Sequence, residues 1–104
     1  MTTHLRTCRR TKRLCVTLSE RLTQEAEPMV AQVIRVALMA HHKDPRPIDC
    51  SSIGLVRHKL VRVTLRVSAL TYRCARQDAS MFHVSVSEHV EACCWRWLST
   101  DNQL

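Results

Sequence analysis

The chain has 104 residues, 45% of them hydrophobic, and a formal net charge of +7. That length supports one small core rather than two domains, and no apolar run is long enough for a bilayer span or a signal-peptide core. Six cysteines in such a chain read as reduced thiols rather than a disulfide framework, so an intracellular place, cytoplasmic or nuclear, is expected.

Residues 1–12 show no apolar period and are expected to form a flexible basic arm. The first eighteen residues carry five bases (Arg6, Arg9, Arg10, Lys12 and Arg13) and no acid. An Arg-rich, acid-free start also has the composition of a mitochondrial transit peptide or a nuclear signal. From Arg13 the domain proper is expected to run to residue 98. Leu14, Val16 and Leu18 alternate across Arg13 to Ser19, which predicts a short strand.

A helix should follow, with Thr17 and Glu20 spaced as a capping box and Ser19 as another candidate N-cap. Leu22, Ala26, Met29, Val33, Val36 and Ala40 recur every three or four residues and predict its buried stripe. Pro28 interrupts that stripe, so the helix should restart there and continue to about His42. Lys43 to Ser52 holds two prolines and reads as a loop.

The stretch Ile53–Arg76 is the longest apolar-patterned part of the chain, and it reads two ways. Val61, Val63, Leu65, Val67 and Ala69 alternate with Arg62, Thr64, Arg66 and Ser68, as in a half-buried strand. Ile53, Val56, Leu60, Val63, Val67, Leu70 and Cys74 instead form a 3-4-3-4 seam that suits a helix. The β-branched Val61, Val63, Thr64, Val67 and Thr71 decide for the strand. Gln77 to Ser80 then reads as a turn. Met81 to Ser87 reads as a third strand, with Phe82, Val84 and Val86 on one face, pairing with 61–75. Ser87 should cap a last helix over 88–98, with Glu88 and Glu91 in its first turn. Val90, Cys93, Cys94, Trp97 and Leu98 would face the core, and 99–104 would be a polar tail.

The expected fold is α+β, a small two-layer sandwich in the order strand-helix-strand-strand-helix. The competing fold is all-α, with three helices near 19–42, 53–76 and 88–98.

Charge is clustered. Residues 45–76 hold seven bases and one acid, Asp49, whereas 19–44 sum to −1 and 77–104 to −3. Such clustering points to a polyanionic partner. Arg62 and Arg66 on the exposed strand face, a spacing expected to suit successive phosphates, are extended by Arg57, Lys59 and Arg73. The arm adds Arg9, Arg10, Lys12 and Arg13. Four aromatic residues are too few for base-stacking platforms, so contacts to backbone charge and shape are expected.

Zinc is not expected. His4, Cys8 and Cys15, and separately His89 and Cys93, lack the paired short spacings that zinc sites favour. His41 and His42 read as helix C-terminal caps. No nucleophile, base and orienting group can be assembled from sequence, and with one glycine there is no phosphate-cradling loop. No cofactor is expected, and the chain reads as a non-enzyme. Trp95 is expected to project away from the apolar side of the last helix, alongside Glu88 and Glu91, and reads as an interface anchor.

These observations predict a small basic nucleic-acid-binding protein that engages RNA through backbone charge and shape, with weak sequence specificity. A homodimer is one expected state, given the small core. Thirteen arginines against three lysines, with almost no glycine, suit a coding sequence constrained by an overlapping frame. A viral accessory protein that sequesters double-stranded RNA fits that pattern. The alternative is a protein-interaction adaptor working through the last helix and Trp95.

Overall fold

A computed structural model gives the fold and describes residues 10–45 and 59–101. Within them the order is β1 (Thr11–Ser19), α1 (Glu20–Ala26), α2 (Val30–Lys43), β2 (Leu60–Ser68), α3 (Ala69–Met81) and α4 (Val86–Asp101). The class is α+β. The two strands pair antiparallel, from Thr11 opposite Ser68 to Ser19 opposite Leu60.

Alternation sets which side of this ribbon meets the helices. Leu14, Val16, Leu18, Leu65 and Val67 are buried against them, while Thr11, Arg13, Cys15, Arg62, Thr64 and Arg66 face outward and are exposed. A two-stranded ribbon is marginal by itself in water. Here it is stabilised by a helical layer that contributes Leu22 and Ala26 from α1, Val33, Ile34, Ala37 and Leu38 from α2, Ala75 from α3, and Val90, Cys93 and Cys94 from α4.

Each strand ends in a serine that starts the next helix. Ser19 Oγ accepts from the Leu22 amide at 3.2 Å, and Ser68 Oγ accepts from the Thr71 amide at 3.0 Å. Such a residue holds an extended backbone while its oxygen satisfies one of the first, otherwise unbonded, helical amides. The free edge of β1 is covered by α4. Thr17 donates its amide to Ser87 Oγ at 3.0 Å, and Ser19 donates its amide to Glu91 Oε1 at 2.9 Å. These side-chain acceptors occupy an edge that could otherwise pair with another chain.

Several expectations need correction. The segment after Ser68 is helix, not strand or turn, so the hairpin between 61–75 and 81–86 does not form. Thr71, Cys74, Ala75 and Ala79 are the buried positions of α3, a helical period that the preceding β-branched run obscures. The all-α competitor fails over 60–68 for the same reason that it succeeds over 69–76: β-branched residues give way to Ala, Leu and Cys once Ser68 has capped.

Met81 to Ser87 is the end of α3, a tight turn, and the start of α4. His83 donates its amide to the Ser80 carbonyl at 3.1 Å, and Val84 donates to the Ala79 carbonyl at 3.0 Å. That bond pair is a Schellman C-cap, and His83, at φ 59°, fills the left-handed position usually held by glycine. Ser85, not Ser87, caps α4. Its Oγ accepts from the Glu88 amide and its own amide donates to Glu88 Oε1, both at 3.1 Å, a reciprocal capping box.

The interruption expected at Pro28 is present and separates two helices, α1 and α2, the second starting at Val30. Its buried stripe is rotated from the expected one: Val33, Ile34, Ala37, Leu38 and His41 are buried, while Met29 and Ala40 are exposed. Thr11 and Lys12 belong to β1 rather than to an arm, and α4 continues through residues assigned to the tail. No helix among the described residues is long and apolar enough to cross a membrane.

Candidate nucleic-acid interface

The cations named from sequence divide between two surfaces. On the open sheet face, Arg13 lies directly across from Arg66, and Arg62 lies across from Thr17. Like charges opposite one another on a ribbon are unfavourable by a few tenths of a kcal/mol up to about 1. Arg66 donates to Thr11 Oγ1 at 3.3 Å, and its carbonyl accepts from Arg35 Nε at 2.9 Å. Arg35, on α2, therefore brings one more cation to the β2 edge. Four steps of extended chain separate Arg62 from Arg66 by about 13 Å, so the pair does not match adjacent phosphates. Arg66 and Arg13 are the closer couple.

The second surface is concave. Lys12 has the inward parity of Leu14 and Val16, but it lies where the sheet runs past the core. There it meets the first turns of α3. A groove of about 580 Å³ is lined by Lys12, Ala69, Tyr72, Arg73, Arg76 and Gln77. Arg73 and Arg76 sit one turn apart on α3. The Arg76 guanidinium lies 5.8 Å over the Tyr72 ring and donates to its hydroxyl at 3.3 Å. The ring holds the arginine in place, which lowers the entropy lost when it engages an anion. Ala69 marks the N-terminal end of α3, where the helix dipole adds positive potential.

Arg10 is exposed just before β1 and ties α3 to the sheet, its carbonyl accepting from the Ala69 amide at 3.2 Å. Lys59 is exposed at the opposite end of the ribbon, its carbonyl accepting from the Glu20 amide at 2.9 Å. Arg9 and Arg57 lie outside the described residues. Sequence reading missed Arg76, Tyr72 and Gln77. Their spacing from Arg73 becomes a signal only once Ser68 is taken as a helix cap.

Trp95 is not the exposed residue expected. It is half-buried against the core, its Nε1 donates to Glu91 Oε2 at 2.9 Å, and the Arg21 guanidinium stands 5.9 Å over its ring. The same Glu91 takes the Ser19 amide and hydroxyl. Glu91 is thus fully buried rather than solvated in a first helical turn. Its indole nitrogen is thus committed inside the fold.

One group of histidines and cysteines is buried together, while Cys15, His42 and His83 stay exposed. His41, His89 and Cys93 are each 2% exposed and meet beneath α2 and α4. Burial and the neighbouring His41 hold His89 below the usual imidazole range, with Asp78 opposing them. Burial, then Cys93 and Glu91, pushes the Cys94 thiol far up, so it stays protonated and packs as a small apolar group. His42 is an exposed residue of the last turn of α2.

No protein-family model matches the chain, and no curated protein or solved structure resembles it closely enough to carry a function over. What defines the class is therefore the fold and its surface: a small basic α+β domain with a cationic groove at one end of a two-stranded sheet.

Proposed function

We propose that this chain binds nucleic acid, RNA in preference to DNA, through phosphate contacts made by the groove of Lys12, Arg73 and Arg76. It is read as a binding protein rather than an enzyme. The observation that carries the reading is the convergence of those three cations on one concavity with Tyr72. A concave cationic site raises the local concentration of anions more than the same charges spread on a flat surface. Arg13, Arg62 and Arg66 extend the charge over the open sheet face, and the acid-free N-terminal sequence carries further bases.

One aromatic ring, already covered by Arg76, gives little basis for base stacking. Recognition by backbone charge and shape follows, with a duplex favoured because its phosphates are regularly spaced. Sequestration of double-stranded RNA is the activity that such binding would serve.

The test is a salt titration of binding to duplex and single-stranded RNA by fluorescence anisotropy. Arg73→Ala with Arg76→Ala should weaken binding about equally for unrelated sequences. It should also lower the slope of log affinity against log salt by about 0.7–0.9 per lost contact. Arg62→Ala with Arg66→Ala should have the smaller effect of the two. Binding with no salt slope, or no binding alongside one stoichiometric protein partner, would remove the nucleic-acid reading in favour of the adaptor.

A further inference from the structure

We propose that His41, His89 and Cys93 form a metal site for zinc, or a divalent ion of similar softness, clamping α2 to α4. His89 and Cys93 lie four residues apart, one turn along the same face of α4, and His41 meets them from α2. Their ligand atoms all lie within 4.8 Å of one another, and Cys93 Sγ is 3.5 Å from His89 Nε2. Zinc bonds of about 2.3 Å to sulfur and 2.0–2.1 Å to nitrogen, at tetrahedral angles, place those two atoms about 3.5 Å apart. The α4 pair is already at coordination distance. The other pairs, at most 4.8 Å apart, would close toward an edge of roughly 3.4 Å when the ion binds.

Charge and surroundings agree with the geometry. Zinc with one thiolate and two neutral imidazoles leaves a buried charge of +1, costly without a counter-ion. Asp78 on α3 supplies it, its Oδ2 standing 3.5 Å from His41 Nδ1. A carboxylate there orients a ligating imidazole and raises its basicity. Phe82, with its ring centroid 5.9 Å from that of His41 and 6.4 Å from that of His89, screens the cluster from water. A groove of about 460 Å³ reaches both His41 and Cys93 beside Lys43, Asp44 and Trp97. It offers an entry path for the ion.

The test uses the full chain, stripped with a chelator and titrated with Co²⁺. A single equivalent should produce the thiolate-to-cobalt absorption and the intense visible bands of a tetrahedral site, displaced by Zn²⁺. Cys93→Ser should abolish the thiolate band, whereas Cys15→Ser and Cys74→Ser should leave it. Asp78→Asn should weaken zinc binding by about 10–100-fold. X-ray absorption of the zinc-loaded wild-type chain should show one sulfur per zinc, a readout independent of whether any variant folds. No stoichiometric binding, two or more sulfurs per zinc, or a band lost with Cys15→Ser or Cys74→Ser instead would overturn the site.

Discussion

Glu91 shows how much one side chain can organise here. Its carboxyl accepts the Ser19 amide at 2.9 Å, the Ser19 hydroxyl, and the Trp95 indole at 2.9 Å. Through Ser19, whose hydroxyl also caps α1, the end of β1, the start of α1 and the middle of α4 share one network. Each buried donor left without an acceptor costs about 1–3 kcal/mol. Glu91→Ala should therefore lower stability by at least about 3 kcal/mol, a large fraction of the roughly 5–15 kcal/mol typical of a domain. Chemical denaturation would measure it, and a loss below about 1 kcal/mol would mean that water replaces the carboxyl at little cost. Trp95→Phe, which orphans no amide, should cost less than Glu91→Ala. An interface role for Trp95 requires the reverse emphasis, with association lost and folding intact.

The turn between α3 and α4 makes the corresponding point for an element. A Schellman cap needs one residue at positive φ, and this chain, with one glycine in 104 residues, uses His83. Histidine tolerates the left-handed region better than most residues, and a β-branched one tolerates it worst. His83→Gly should hold or raise the denaturation midpoint. His83→Val should lower stability by about 1–2 kcal/mol. Equal midpoints for the two variants would show that the turn relaxes to another geometry. Because both helices of the proposed metal clamp's outer wall, α3 and α4, depart from this turn, its rigidity also bears on how Asp78 meets His41.

At the scale of the whole molecule, charge dominates. A net +7 with Arg13 facing Arg66 implies self-repulsion within the fold, relieved by screening or by a polyanion. Raising salt from low to physiological should therefore raise the melting temperature of the free chain while weakening its binding to RNA. The Arg96–Asp44 contact between α4 and the end of α2, 3.6 Å and largely solvated, works in the other direction but weakly. A melting temperature that falls steadily with salt would show that attractive surface pairs outweigh the repulsion.

The sequence alone determined what depends on neighbours along the chain. The alternation in 13–19 and 61–68 follows from the period of a strand, and the last helix follows from its acidic start and apolar run. Arg62, Arg66, Arg73 and Lys12 were legible because clustered charge without nearby acid is visible in composition. The end of β2 was not, because Ser68 reads equally as one more outward strand residue or as a cap, and only the packing of Cys74 and Ala75 separates the two. Likewise His83 hides a turn that glycine would have announced. Tertiary structure alone decided the rest. Lys12 and Arg73 lie 61 positions apart in the chain, and His41 lies 48 before His89, so neither the groove nor the meeting of His41 with the His89–Cys93 pair leaves a local signature. Glu91 sits inside because Ser19 and Trp95 together offer it three hydrogen bonds. Burial of a polar group depends on partners that only the folded chain brings together.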